Sequence, residues 1–298
     1  MSKVWLVSGS ARGLGRDISE AVLARGDRLF ATARDPKQLD DLVERYGSER
    51  IRAYALDVTD ERAAHAAAQA AIEAFGRIDV LVNNAGYGRV VPFEQTDEAV
   101  FRDQIETNLF GVVNLTRAVL PSMRAQRSGH IIQISSVGGR IGSPGLSAYQ
   151  AAKWAVGGFT EVLASEVASF GVKVCALEPG GIRTGWGVGA LADMPELLPD
   201  YREALSGMFE LRRQWVEGDG SRADIATGAT SDPARVAQVV LGIADHPQPP
   251  VHLLLGSDAV QYAGSVEAAR AQADERWRAV SQFTDAAASA AIPPFPAL

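Results

Sequence analysis

Cysteine is nearly absent from this chain of 298 residues, where Cys175 stands alone. One thiol excludes an internal disulfide and suits a reducing compartment. Its apolar neighbours mark it as a packing residue. Histidine is also scarce. His65, His130, His246 and His252 are scattered, no Cys/His spacing matches a zinc site, and no metal is expected. Basic excess is lacking, since the net charge is −7. Nucleic acid and anionic membrane are therefore poor partners. No uncharged apolar run reaches the roughly 18–20 residues of a membrane helix. Strand-like sequence begins at Lys3, so no signal peptide is expected and the default compartment is the cytoplasm. There is no internal repeat and no sign of a second domain.

What is present is alternation. Apolar runs near 3–8, 28–33, 51–56, 79–83, 130–135, 172–178 and 251–255 read as strands. Helical patterns cover 14–25, 36–46, 61–75, 97–126, 147–169 and 233–245, with a further helix at 262–281. Strands alternating with helices imply a parallel sheet covered on both faces, an α/β fold. Asp232-Pro233 has the form of an N-cap followed by proline at the first helical position. The stretch 185–230 breaks the rhythm and has room for one or two helices. The tail 287–298 carries Pro293, Pro294 and Pro296 and reads as a mobile or interface arm.

The chemistry lies at strand ends. Tyr149 and Lys153 sit four residues apart in a helical pattern, which stacks both on one face. An ammonium beside a phenol favours the phenolate, so the phenol is expected to fall from about 10 toward operating pH. At the N-terminus, Val4–Val7 leads into Ser8-Gly9-Ser10-Ala11-Arg12-Gly13-Leu14-Gly15 and then a helix. Strand, glycine-rich turn and helix together present backbone N–H groups and a helix N-terminus to a pyrophosphate. Later runs end at Asn83-Asn84-Ala85-Gly86, at Ser135-Ser136 and at Glu178-Pro179-Gly180-Gly181, with Thr184 beyond. In parallel sheets ligands bind outside these carboxyl ends.

Taken together, these elements resemble the short-chain dehydrogenase/reductase family. The matching residues are Gly9-x3-Gly13-x-Gly15, Asp57-Val58, Asn83-Asn84-Ala85-Gly86, Asn108, Ser136, Tyr149-x3-Lys153 and Pro179-Gly180-x3-Thr184. They occur in family order across about residues 3–185. Val137-Gly138-Gly139 and the long C-terminal part look most like the branch containing 17β-hydroxysteroid dehydrogenases. The resemblance implies one Rossmann-fold domain over 1–298 with a seven-stranded parallel sheet. A substrate lid would occupy about 185–230 and a C-terminal extension about 258–298. It also implies a homodimer or homotetramer and an NAD(P)(H) cofactor.

The family pattern further implies roles. Gly9, Ser10, Arg12, Gly13, Leu14 and Gly15 would hold the pyrophosphate side. Asp57 and Val58 would flank the adenine, unless Asp57 caps the next helix. Asn84, Ala85 and Gly86 would line the cleft, and Pro179, Gly180, Ile182 and Thr184 the nicotinamide end. Ala33 takes the position where NAD-specific members carry an acid. Arg34 follows it, and Arg34 with Arg12 could clamp a ribose phosphate. NADP(H) is therefore expected ahead of NAD(H), although a one-residue shift would place Asp35 on the ribose. Tyr149 would exchange a proton with a carbonyl oxygen that Ser136, or its neighbour Ser135, stabilises. Lys153 would depress the phenol and hold the ribose, and Asn108 would hold a water leading to the lysine.

Trp186, Met194, Leu197, Leu198, Tyr201, Met208, Phe209 and Trp215 follow the Pro-Gly element. They form either a lid over an apolar ketone or secondary alcohol, or plain packing of the insert onto the body. Val90, Phe93, Gly142 and Leu146 are candidates for the pocket wall. A carbonyl reductase or alcohol dehydrogenase is the leading reading. A nucleotide-binding sensor or scaffold, and a dehydratase or epimerase, remain open.

Overall fold

The computed structural model describes residues 2–192, 194–217, 231–285 and 291–296. Seven strands form one sheet: β1 (Val4–Ser8), β2 (Arg28–Ala33), β3 (Ile51–Ala55), β4 (Val80–Asn83), β5 (Gly129–Ile134), β6 (Val172–Pro179) and β7 (His252–Leu255). Their order is β3-β2-β1-β4-β5-β6-β7, with every neighbouring pair parallel. The order reverses between β1 and β4, where Val7 lies opposite Val82. A crevice opens at such a switch point because the flanking connections depart to opposite faces.

Both faces are covered, which is why the central strands are apolar throughout rather than alternating with polar residues. Trp5 and Val7 project to one side, against Leu14, Ile18 and Val22 of α1 (Gly13–Ala24) and Val236 and Val240 of α9 (Pro233–Asp245). Leu39 and, in α2 (Asp40–Tyr46), Leu42 close that face. Val4 and Leu6 project to the other side, against α3 (Glu61–Phe75), α5 (Gly111–Gln126) and α6 (Ser147–Val167). The buried stripe of α3 is Ala64, Ala67, Ala68 and Ala71, small residues that let the helix lie close. Ile18 is fully buried, and removing such a side chain from water contributes roughly 1.5–3 kcal/mol.

All seven expected strands form, and Asp232 caps α9 by accepting from the Ala234 amide. Three helices differ from expectation. The segment 36–46 begins as a 3-10 turn, Pro36–Leu39, with Asp35 as its cap accepting from the Lys37 amide. The expected helix 97–126 is α4 (Glu98–Ile105), a π-helical segment (Glu106–Phe110) and α5. The last helix, α10 (Ser257–Gln282), starts five residues early because Asp258 and Ala259 are buried against the body. In the irregular stretch, α7 (Trp186–Leu191) and α8 (Pro199–Glu217) form, and the remainder to residue 230 lies outside the described residues. Part of the tail expected to be an arm is also outside them, but Phe295 packs on Trp277 with ring centroids 5.6 Å apart.

Candidate active site

The glycine turn is built by close approach. Gly9 has φ +69°, left-handed backbone that favours glycine. A β-carbon on Gly15 would stand 2.1 Å from the Gly9 carbonyl oxygen and 2.4 Å from Asn84 Nδ2. Asn84 Nδ2 donates to the carbonyls of Ser8 (3.0 Å) and Gly9 (3.2 Å), so this asparagine braces the turn from β4. Ser8 returns the support, its Oγ accepting from the amides of Asn84 and Ala85, each at 3.0 Å. Ser8 was not among the expected site residues, although it is the polar residue that ends β1. Ser10 is fully buried; its Oγ donates to Val7 and its amide to Thr32, so both donors are taken up inside the fold. Leu14 is buried at the start of α1, while Arg12 is exposed at the N-cap position.

Across the crevice, a β-carbon on Gly13 would lie 3.6 Å from Thr184 Cβ. The two ends of the motif set, about 170 residues apart, thus face each other. Ile182 bridges to Ser231 and packs on the core, and Gly180 donates to Leu255. The Gly181 amide donates to Asp258 Oδ2 at 2.7 Å. Asp258 is 5% exposed, and its Oδ1 makes no hydrogen bond. Nothing local in the sequence links Asp258 to the Pro179–Gly180 element, because the contact spans 77 positions.

Asp57 does not cap α3. Its Oδ1 accepts from the Thr59 amide and hydroxyl, while Asp60 takes the cap by accepting from Ala63. Val58 packs on Gly111, where a β-carbon would meet its Cγ2 at 2.5 Å. Asp35 is engaged as the 3-10 cap, leaving buried Ala33 and exposed Arg34 at the end of β2. These positions suit a dinucleotide: the turn has no room for side chains beside Gly15, and Arg12 and Arg34 make no ion pair among the described residues.

At the end of β5, Ser136 and not Ser135 meets Tyr149. The Ser136 hydroxyl lies beside the Tyr149 phenol, and its Oγ accepts from the Gly138 amide at 2.9 Å. Ser135 Oγ is buried without a partner. Lys153 Nζ donates to the Ile134 carbonyl at 2.8 Å and lies 5.6 Å from the Tyr149 ring centroid. Asn108, fully buried, occupies the π-helical segment. Its Nδ2 donates to the carbonyls of Tyr87 and Gln104, each at 2.8 Å, and its Oδ1 accepts from the Tyr87 amide at 3.2 Å. A β-carbon on Gly86 would stand 2.6 Å from that Oδ1 and 3.8 Å from Lys153 Nζ. Asn108, Gly86 and Lys153 therefore meet behind the phenol. The extra residue of a π turn re-aims the side chains around it, and such turns recur at functional sites.

The model of the short chain dehydrogenase family matches residues 3–193. This chain belongs to that family. It is similar to "Oxidoreductase BOA17" of Botryotinia fuckeliana, 48% identical over 281 residues, covering 94% of this chain and 98% of that protein. A crystal structure of a short-chain dehydrogenase from Streptomyces avermitilis is 42% identical, with TM-score 0.84, covering 96% of this chain and all of that one. A structure of ElxO with NADP bound is 28% identical, with TM-score 0.69, covering 85% of this chain and 96% of that one. The protein is accordingly a short-chain dehydrogenase/reductase, an oxidoreductase acting on CH–OH groups, with a Rossmann-type α/β fold.

In this short-chain dehydrogenase Tyr149 and Lys153 are deeply buried, and burial overrides the expected effect of the lysine. Burial pushes the Tyr149 phenol up to about 12, with the Ser136 hydrogen bond acting in the opposite direction. Burial pushes Lys153 down to about 8. Both shifts disfavour the charged form, as desolvation requires. The expected depression of the phenol is thus absent from this state of the site.

The lid candidates divide. Phe209 is buried with Val90 and Ala190, and Leu146, Met194, Leu197 and Met208 pack around them, so these residues fasten the 185–217 insert to the body. Gly145 accommodates this, since a β-carbon there would meet Phe209 Cζ at 2.9 Å. Tyr201 donates to Glu94 at 2.8 Å and, with Phe93, Gly142, Ser147 and Gln150, lines an open cavity of about 460 Å³. Leu198 is exposed, and the side chain of Trp215 lies outside the described residues. Trp186 turns the other way, onto Tyr149. Among the described residues no helix is long and apolar enough to cross a membrane.

Proposed function

We propose that the protein is an NADPH-dependent carbonyl reductase, or secondary alcohol dehydrogenase in reverse, acting on an apolar ketone or aldehyde. The observation that carries this reading is the buried Tyr149 phenol with Ser136 beside it and the buried Lys153 ammonium 5.6 Å from its ring. When bound, the nicotinamide supplies the hydride to the carbonyl carbon. Tyr149 gives its proton to the carbonyl oxygen. Ser136 donates a hydrogen bond to the same oxygen and stabilises its developing charge. The Lys153 ammonium stabilises the resulting phenolate, since a nearby cation favours the anion. Asn108 holds the Tyr87 backbone and so fixes the floor beneath the lysine.

The preference for NADP(H) rests on β2. Ala33 ends it without an acid, Asp35 is engaged as a cap, and Arg34 and Arg12 are exposed cations. The relative with NADP bound supports the same choice. The turn residues Gly9, Gly13 and Gly15 would receive the pyrophosphate, and Thr184 the nicotinamide side. Apolar residues exposed on α4 to α6, including Phe110 and Val162, suit a homodimer or homotetramer, which light scattering would decide. The cytoplasm is the proposed compartment.

The test is oxidation of NADPH, with NADH alongside, across a panel of ketones and aldehydes by wild type and Tyr149→Phe. Tyr149-dependent oxidation supports the reading. Tight nucleotide binding with no turnover on any carbonyl refutes it.

A further inference from the structure

The Trp186 indole lies against the ring of Tyr149. Trp186 opens α7, two residues beyond Thr184. Its ring centroid lies 5.1 Å from that of Tyr149, with the planes inclined by 55°. Another edge of the indole rests on Gly88, where a β-carbon would stand 2.6 Å from Cζ2 and 3.1 Å from Cη2. Tyr149 is 9% exposed and Trp186 37%. The indole therefore has solvent on one side and the phenol on the other.

Its attachment is slight. The lid's own apolar cluster gathers at Val90 and Phe209, and Trp186 is not part of it. The Trp186 amide leans on Thr184 Oγ1 at a long 3.3 Å. Gly185, which precedes it, has open space where a side chain would be. Among the described residues, the Tyr149 ring and the bare backbone of Gly88 meet the indole. A carbonyl oxygen must come within hydrogen-bond reach of the Tyr149 hydroxyl to take its proton. Whatever covers the phenol has to make way.

We propose that Trp186 is a specificity-determining gate that covers Tyr149 in the free enzyme and, displaced by substrate, forms the aromatic wall of the slot facing Gly88. The inference rests on the reductase reading above. An indole face favours flat apolar partners through offset or tilted ring contacts. Gly88 leaves the opposite side smooth and narrow. The substrate class that fits is a flat aryl or cyclic ketone with a small second substituent. A branched substituent beside the carbonyl would collide with the indole.

The experiment compares the full-length wild type with Trp186→Ala and Trp186→Phe. Each is assayed with NADPH on acetophenone and on tert-butyl phenyl ketone, which share the aryl group and differ in bulk. The kcat/KM ratio of the bulky to the compact ketone should rise about tenfold or more in Trp186→Ala, the scale on which pocket shape discriminates. It should rise less in Trp186→Phe. An equal change on both ketones would mean that the indole only packs, and would overturn the proposal. A second readout needs no turnover: acetylation of Tyr149 by N-acetylimidazole, followed by peptide mass analysis. Acetylation should be faster in Trp186→Ala, and an unchanged rate would overturn the cover. If none of the three proteins reduces either ketone, the aryl-ketone class is overturned while the reductase reading still rests on the wider carbonyl panel, and the labelling decides whether Trp186 shields the phenol. Trp186→Phe keeps a ring on the Tyr149 face and guards against a folding defect in the alanine variant.

Discussion

Gly15 lies so close to Gly9 that a β-carbon on the first would stand 2.1 Å from the carbonyl oxygen of the second. The neighbour is backbone, held in turn by Asn84, and has nowhere to retreat. Gly15→Ala should cost about 1–3 kcal/mol of stability, the usual scale of overpacking, and should weaken nucleotide binding. Gly158→Ala is the contrast. That glycine sits inside α6 with open space around it, so alanine should be neutral or stabilise by about 0.5–1 kcal/mol. Urea denaturation of both variants checks the pair. A Gly15→Ala protein as stable as wild type would contradict the packing of the turn.

Tyr149→Phe removes the proposed proton donor and leaves the ring that touches Trp186. Turnover should fall by about 10²–10⁴-fold, the range for loss of a general acid. Nucleotide affinity should persist, because the glycine turn is untouched. Single-turnover kinetics beside a nucleotide titration separate the two.

Arg34→Ala should weaken NADPH binding by about 1.5–3 kcal/mol, the worth of a charge-assisted hydrogen bond, and leave NADH nearly unaffected. Arg12→Ala should act in the same direction. Isothermal titration with both nucleotides is the check. Equal losses for NADPH and NADH would remove the phosphate clamp from the account.

The buried pair also shapes stability against pH. Lys153 has an ordinary value of 10.5, pushed down to about 8 by burial. Between about 8 and 10.5 the unfolded chain binds more protons than the folded one, so stability rises with pH there. The full rise is roughly 3 kcal/mol at about 1.4 kcal/mol per pH unit. Tyr149 acts oppositely: its phenol goes from 10.0 up to about 12, so stability falls as pH climbs above about 10. Unfolding free energies should therefore increase from pH 8 to 10 in wild type, and this increase should vanish in Lys153→Met. A flat wild-type profile would place the lysine nearer to water than the structure does.

The strands and their polar ends were legible because a sheet covered on both faces demands uninterrupted apolar runs. Helix periodicity put Tyr149 and Lys153 on one face, and the family resemblance pointed to Ser136. The π turn at Asn108 was not, since it needs one extra residue of backbone and no distinctive composition. Asp258 on Gly181 and Trp186 on Gly88 are contacts between distant segments, which no local pattern encodes. The sign of the Tyr149 shift was also hidden. Spacing revealed the lysine, but the desolvation that outweighs it depends on residues far along the chain.

The carboxylate that α10 extends to the Gly181 amide makes the carboxy-terminal helix and the loop before Thr184 one thermodynamic unit. Reciprocity follows from that union. Whatever steadies the loop steadies the helix through the coupling this bond supplies, and that coupling acts equally in reverse. A nucleotide settling at one end should slow amide exchange near residue 260, at the other.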